Sequence, residues 1–138
     1  MSQKRVYVAV PITHGCNRTL AERLIKFLEA EGMNVTSCWV AEEEPKEDLK
    51  TPEEVYCRDI AAVSASDAFV AEVSKPSLGI GMELMVAVNK GIPIVCLCEN
   101  GSSISWMVRG IPSVKIVSYT LDCFDEALES VVDLLDRY

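Results

Sequence analysis

Two carboxylates and a glycine-bearing turn are the parts of this chain best suited to chemistry. The run Ser74-Lys75-Pro76-Ser77-Leu78-Gly79-Ile80-Gly81-Met82-Glu83 follows an apolar segment and opens a helical one. Gly79 and Gly81 let backbone approach a ligand closely. Free N–H groups at a helix N-terminus suit a phosphate, and Ser77 adds a hydroxyl. Leu84 stands where the last glycine of a GxGxxG fingerprint would fall, so the turn also reads as a helix start with glycines for packing. Glu83 is expected in the first turn or so of that helix. There it is either a surface acid complementing the helix dipole, contributing roughly 0.3–1 kcal/mol, or a carboxylate that the same field keeps ionised for attack at an anomeric carbon.

Asp59 falls between Val55 and Val63 on a helical wheel, with Tyr56 close by. A carboxylate on the inward side of a helix is costly unless paired or used. If desolvated, its pKa would rise, which suits proton exchange with a leaving group; a buried cap or an ion pair is the alternative. Tyr7 belongs to the first strand, where tyrosine is commonly core, but its hydroxyl needs a partner. Trp39 ends the second expected strand and either packs or stacks on a planar ligand. His14, in the loop after the first strand, either touches an anion or is solvated. Asp67 begins the third strand and is expected away from the ligand end, and Glu42-Glu43-Glu44 reads as a solvated loop.

These side chains have to be positioned by alternating strands and helices. Residues 5–10 form an apolar run ending at Pro11, a buried strand. Asn17 offers an N-cap, Leu20, Leu24, Phe27 and Leu28 follow helical spacing, and Gly32 stops the helix. Strands are expected over residues 34–38, 67–73, 93–98 and 114–118. The sequence Thr51-Pro52-Glu53-Glu54 is a strong start for a helix running to about Ala65. A further helix is expected over residues 81–90, closed by Gly91, with a short one over residues 105–109. Phe124, Leu128, Val131 and Leu135 mark the last. Most strands are apolar on both faces, the signature of a parallel sheet covered on two sides. The expectation is one α/β domain over residues 1–138, Rossmann-like or flavodoxin-like, with a five-stranded parallel sheet and helices on both faces. Ligands of such sheets bind beyond the carboxyl ends of the strands, where strand order reverses.

Composition narrows the partners. Of 138 residues, 49% are hydrophobic and 25% charged, and 13 Lys and Arg face 21 Asp and Glu for a net charge of −8. An acidic chain gains little from a nucleic-acid backbone, so a small anionic ligand held by local donors is expected, not a polymer. No stretch approaches the roughly 18–20 apolar residues of a membrane span, and the N-terminal residues read as a strand, not a signal peptide. Six cysteines without a CxxC pair are expected as reduced thiols of a cytoplasmic protein, or a nuclear one in a eukaryote. One histidine and no metal-like spacing argue against a zinc site.

Taken together, these residues resemble the 2′-deoxynucleoside 5′-phosphate N-hydrolases of the nucleoside 2-deoxyribosyltransferase superfamily. The similarity covers nearly the whole chain and is densest over residues 67–84, where a strand ending Ala71-Glu72-Val73 leads into Pro76-Ser77-Leu78-Gly79-Ile80-Gly81-Met82-Glu83-Leu84. The family pattern there is PSLGVGYEL, so Ile80 and Met82 replace Val and Tyr. Arg18-Thr19-Leu20 and Met107-Val108-Arg109-Gly110 also match family segments. The resemblance implies Glu83 as nucleophile, Asp59 working at the sugar and leaving base, and Tyr7 as the first-strand tyrosine of the site. It implies that Ser77 and Gly79 contact a 5′-phosphate, with Ile12 and His14 in the substrate-binding first loop. Ser105 would reach the phosphate bound by a partner subunit, which implies a homodimer with shared sites. The first loop departs from the family: Val10-Pro11-Ile12-Thr13 replaces Gly-Ser-Ile-Arg, and its proline is like the transferases that use unphosphorylated nucleosides. Trp39 stands in place of a histidine, which bears on base preference. The implied reaction is hydrolysis of a nucleoside 5′-monophosphate with retention, without metal or organic cofactor. Base exchange by a 2-deoxyribosyltransferase and a non-catalytic nucleotide-binding module are the alternatives.

Overall fold

The computed structural model describes residues 3–11, 18–41 and 49–137. Five strands, β1 (Arg5–Ala9), β2 (Asn34–Val35), β3 (Ala68–Glu72), β4 (Ile94–Glu99) and β5 (Val114–Tyr119), form one sheet in the order β2-β1-β3-β4-β5. Every pairing is parallel. The helices are α1 (Arg18–Ala30), α2 (Pro52–Ser64), α3 (Leu78–Lys90), the single turn α4 (Trp106–Arg109) and α5 (Phe124–Asp136). The order places β1 at the centre of a reversal: the chain leaves β1 toward β2 on one side and returns to β3 on the other. This is the flavodoxin-like arrangement, whose switch point lies between β1 and β3.

Side-chain alternation divides the core into two layers. Val6, Val8, Val70 and Leu97 pack with Leu24 and Leu28 of α1 and with Leu128 and Val131 of α5. Tyr7, Phe69 and Cys96 face the other way, toward Val63 of α2 and Ile80 and Leu84 of α3. Odd-numbered residues of β1 therefore point at the helices that carry Asp59 and Glu83. The α2 start is as its residues predict: Thr51 Oγ1 accepts from the Glu54 N–H at 3.1 Å, with Pro52 at the first helical position. Gly32 and Gly91 take positive φ of 86° and 77° after α1 and α3, where a Cβ would be strained.

Two expected boundaries move. The second strand ends at Val35, not at residue 38. The cause is Ser37, fully buried, whose hydroxyl accepts from the Val8 N–H at 2.8 Å and donates to the Val8 carbonyl at 2.7 Å. One side chain satisfies the β1 groups that a longer β2 would have paired. The chain is released into a 3₁₀ turn over Cys38–Ala41, and Trp39 rides on that turn rather than on a strand. The third helix begins at Leu78, three residues earlier than the glycines suggested, because Ser77 caps it by accepting from the Ile80 N–H at 3.3 Å. His14, Ile12, Asn17 and Glu42-Glu43-Glu44 lie outside the described residues.

Replacing Ser37 by Ala strands a buried N–H and a buried carbonyl of β1. The expected loss is about 1–3 kcal/mol, read as a lower urea midpoint at unchanged slope. A midpoint equal to that of the unsubstituted protein would show that β2 extends to take over the pairing.

Candidate active site

The site forms where β1, α2 and α3 meet. Tyr7 sits in the middle of β1 and is 1% exposed. Its ring is stacked on that of Phe69, its register partner on β3, with centroids 5.5 Å apart and planes 7° from parallel. The Trp39 ring meets it edge-on at 6.2 Å. The Tyr7 hydroxyl and the Glu83 carboxyl lie close enough to interact. Burial, and then the negative charges of Glu83 and Asp59, hold the Tyr7 phenol far above its ordinary value, so it is a donor and never a phenolate.

Glu83 is in the second turn of α3, not the first, since the helix starts at Leu78. Dipole stabilisation falls off beyond the first turn, and a different balance governs this carboxyl. Burial pushes it up to about 7; the Tyr7 hydrogen bond opposes the shift, the Asp59 charge adds to it and the Arg58 charge opposes it. Near neutrality Glu83 is therefore shared between acid and carboxylate, the range in which a carboxyl group exchanges protons most readily. Gly79 and Gly81 both lie in α3, and neither has a positive φ. What the glycine at 79 does is spatial: a Cβ there would stand 3.9 Å from Glu83 Oε1, so its absence keeps the approach to that oxygen open.

Asp59 reaches the same region from α2 on an inward position, and of the readings open to it the ion pair is the one found. Val55 and Tyr56 are exposed, and Val63 is the one fully buried residue of α2. Asp59 is half of an ion pair: Arg58 Nε donates to its Oδ1 at 2.9 Å, and the two side chains are 19% and 20% exposed. The Arg58 guanidinium lies over the Trp39 ring, 4.2 Å from its centroid. Tyr7, Glu83, Asp59, Arg58 and Trp39 thus form one cluster. Asp67, at the opposite end of β3, pairs with Arg5 through Oδ1 at 3.2 Å and stands apart from it.

Ser77 and Ser105 are together, but on the other flank of α3. A cleft of about 470 Å³ between α3 and α4 is lined by Ser77, Leu78, Gly81, Met85, Ser105 and Met107, and Glu83 is not in its wall. Ser105 caps α4, accepting from the Met107 N–H at 3.2 Å. Within one chain, then, the two serines do not converge with the carboxylate cluster.

Two residues of this region escape a reading by motif. Arg58 was hidden beside Asp59, although an arginine next to an inward aspartate is itself a sign of pairing. Glu72, 5% exposed, accepts from the Ser74 N–H, from the Ser74 hydroxyl at 2.9 Å and from the Tyr119 hydroxyl. Ser74 Oγ accepts in turn from the Glu99 N–H at 2.8 Å. This network ties the start of the loop before α3 to the ends of β4 and β5. Its signal was one acid in an otherwise apolar strand. Among the described residues, no three His, Cys, Asp or Glu are grouped so as to hold a metal ion, and no helix is long and apolar enough to cross a membrane.

A family model described as nucleoside 2-deoxyribosyltransferase matches residues 6–130. A Thermofilum pendens protein, provisionally named 2′-deoxynucleoside 5′-phosphate N-hydrolase 1, is 37% identical over 138 residues, covering 95% of this chain and 94% of its own. The mouse 5-hydroxymethyl-dUMP N-hydrolase is 40% identical over 86 residues, 61% of this chain and 47% of the mouse protein. Among solved structures, the CMP N-glycosidase BcmB of Clostridium botulinum superposes with a TM-score of 0.72 at 25% identity, covering 98% of this chain and all of that one.

The raised Glu83 value carries a consequence for stability. The folded value of about 7 exceeds the ordinary 4.5. Ionisation therefore costs the fold nothing below pH 4.5, and the cost grows as pH rises through about 7. Glu83→Gln removes that cost. It should leave stability unchanged at pH 4 and raise it by about 1–3 kcal/mol at pH 8. Urea unfolding at the two pH values checks this, and a destabilised variant at pH 8 would mean that Glu83 is not strained by burial.

Proposed function

The chain belongs to the nucleoside 2-deoxyribosyltransferase family, and on that premise we propose that it hydrolyses the N-glycosidic bond of (deoxy)nucleoside 5′-monophosphates, with Glu83 as nucleophile. The products are the free base and (deoxy)ribose 5-phosphate. The observation that carries this reading is the convergence of Tyr7, Glu83 and the Arg58–Asp59 pair where β1, α2 and α3 meet, with burial pushing the Glu83 carboxyl up to about 7.

In the first half-reaction a Glu83 oxygen bonds to C1′ as the C1′–N bond breaks, and the bonding pair leaves with the base, which takes up a proton. In the second, water attacks C1′, gives up a proton, and releases Glu83 as a carboxylate. Two inversions give net retention. Tyr7 donates to the Glu83 carboxyl and fixes which oxygen faces the sugar. The charge on Glu83 is lost as the glycosyl ester forms, which relieves the burial that strains it. The open space before Oε1 that Gly79 leaves admits the sugar.

The phosphate falls to the α3 N-terminus. The Leu78 and Gly79 amides begin that helix and have no carbonyl four residues back within it, and Ser77 stands beside them. Ser105 lines the same cleft as Ser77, a cleft whose wall does not include Glu83, and we assign its hydroxyl to a neighbouring subunit's site. The surface around it supports the same reading: Leu78, Trp106 and Met107 are 91%, 86% and 82% exposed, and Tyr56, Met82 and Met85 are exposed nearby. Leu78, Met85 and Met107 line one cleft, exposed apolar side chains of this kind mark an interaction site, and we assign it to a second copy of this chain.

Glu83→Gln is expected to fold and to lose turnover by a factor of about 10³ or more, measured by single-turnover release of base from a deoxynucleoside 5′-monophosphate. Near-normal release would end the assignment of the nucleophile. Addition of a second free base to the assay distinguishes hydrolysis from base exchange, because exchange would yield a new nucleotide.

The unsubstituted protein is expected to sediment as a dimer, and Met107→Glu as a folded monomer with most of its activity gone. A fully active monomer would rule out shared sites.

A further inference from the structure

Glu72 is a buried acid that the proposed chemistry does not use. It ends β3 on the α1/α5 side of the sheet, the layer that also holds Val70 and Tyr119. Tyr7 and the α3 residues Ile80 and Leu84 belong to the other layer. Three donors converge on the Glu72 carboxylate: the Ser74 N–H, the Ser74 hydroxyl at 2.9 Å and the Tyr119 hydroxyl. Burial, and then the hydrogen bond to Glu72 and its charge, hold the Tyr119 phenol far above its ordinary value, so it stays protonated. A buried carboxylate is tolerated where donors of this kind offset its desolvation.

The connection from β3 to α3 is short and is held at both ends. At its start the Val73 N–H donates to the Leu97 carbonyl at 2.8 Å, and Ser74 Oγ accepts from the Glu99 N–H at 2.8 Å while giving its own hydrogen to Glu72. Neither polar hydrogen of Ser74 is left for a ligand. At its end Ser77 caps α3, with its hydroxyl taking the Ile80 N–H and its carbonyl the Gly81 N–H at 3.1 Å. The Leu78 and Gly79 amides are the two at this terminus without a carbonyl partner inside the helix. Two residues, Lys75 and Pro76, separate the anchors, and proline has a fixed φ. The place of those amides relative to the sheet is therefore set through Ser74, and Ser74 is set by Glu72.

Resting on the phosphate site proposed at the α3 N-terminus, we infer that Glu72 is the positioning residue of that site. Through Ser74 and Tyr119 it fixes the turn so that the chain selects a nucleoside 5′-monophosphate over the parent nucleoside. Hydrogen bonds weaken steeply as their angle degrades, so amides that are to hold a phosphate need a rigid mount. Attack at C1′ depends on the other layer, where Tyr7 and α3 meet. A nucleoside makes no use of the turn and is indifferent to how it is held.

The test measures kcat and KM for the unsubstituted protein, Tyr119→Phe, Ser74→Ala, Ser74→Thr and Glu72→Gln. The substrates are a panel of deoxynucleoside 5′-monophosphates and their parent deoxynucleosides, and urea unfolding establishes folding. Tyr119→Phe keeps the ring against Phe124, where the centroids stand 5.0 Å apart, and removes one donor from Glu72. Tyr119→Phe and Ser74→Ala should each raise KM for a monophosphate by roughly three- to thirtyfold, with kcat within about twofold and kcat/KM for the nucleoside little changed. Glu72→Gln sets an NH2 group among donors that need an acceptor and should show the largest shift. Ser74→Thr keeps the hydroxyl and should recover most of the KM. Inhibition by deoxyribose 5-phosphate should weaken in step, which reads phosphate binding without turnover. Folded variants that lose the same proportion on monophosphate and nucleoside, or that lose stability with the ratio unchanged, overturn the positioning role and leave the N-glycosidase reading intact. An unsubstituted protein that treats nucleotide and nucleoside alike overturns it too. Absence of base release from every nucleotide and nucleoside overturns that reading and this inference with it. Should Glu72→Gln fail to fold, Tyr119→Phe and the two Ser74 variants decide by the same ratio.

Discussion

Parallel pairing of β1 with β3 sets the geometry on which the rest of the molecule depends. The register Tyr7 to Phe69 and Ala9 to Ala71 places two aromatic rings in stacking contact beneath α2 and α3. Those rings form the floor of the carboxylate cluster. Because β2 lies on the other side of β1, the helices that leave β1 and β3 diverge to opposite faces, and the gap at their strand ends is left for a ligand. A slip of one residue in β1 would turn Tyr7 toward α1 and α5 and bring Val6 or Val8 beneath Glu83. The register is held in part by Ser37, which occupies the Val8 peptide groups and ends β2 early. The same early end puts Trp39 on a turn, over the site instead of in a ladder.

Stability and chemistry are opposed within this cluster. Glu83 is buried enough to be pushed up to about 7, and its neighbour is a phenol that stays protonated. A carboxylate better solvated or better paired would stabilise the fold and, in the role proposed for Glu83, be a weaker nucleophile. Asp59 shows the other solution to the same problem. It meets Arg58 directly, and the pair is braced by the Trp39 ring. Glu72, a third inward acid, is satisfied entirely by hydrogen bonds from Ser74 and Tyr119 and keeps the loop before α3 attached to the sheet. Three acids on neighbouring elements therefore differ in role because their donors differ: a single phenol, a guanidinium, and a set of neutral hydroxyl and amide groups.

The sequence alone determined the architecture and singled out the candidate reactive groups. Apolar strands alternating with capped helices specify a doubly covered parallel sheet, because each element must bury what its periodicity exposes. Thr51-Pro52 and Gly91 mark helix ends through backbone chemistry that no tertiary contact alters. Glu83, Asp59 and Tyr7 were legible as candidates since acids and a phenol on inward positions need partners. Their partners were not legible. Helix α3 begins at Leu78 because the Ser77 hydroxyl reaches the Ile80 N–H, and that start moves Glu83 out of the first turn and replaces dipole stabilisation with burial as the governing effect. Asp59 was read between Val55 and Val63 with Tyr56 close by; Val63 is buried, Val55 and Tyr56 face solvent, and Arg58 beside it supplies the pair. Ser77 and Ser105 share a wall that excludes Glu83, which spacing along the chain could not reveal. Local propensity depends on neighbours a few residues away and can be read in order. Desolvation, ion pairing and the direction of a side chain depend on atoms brought from distant segments, and only the packed sheet and helices decide them.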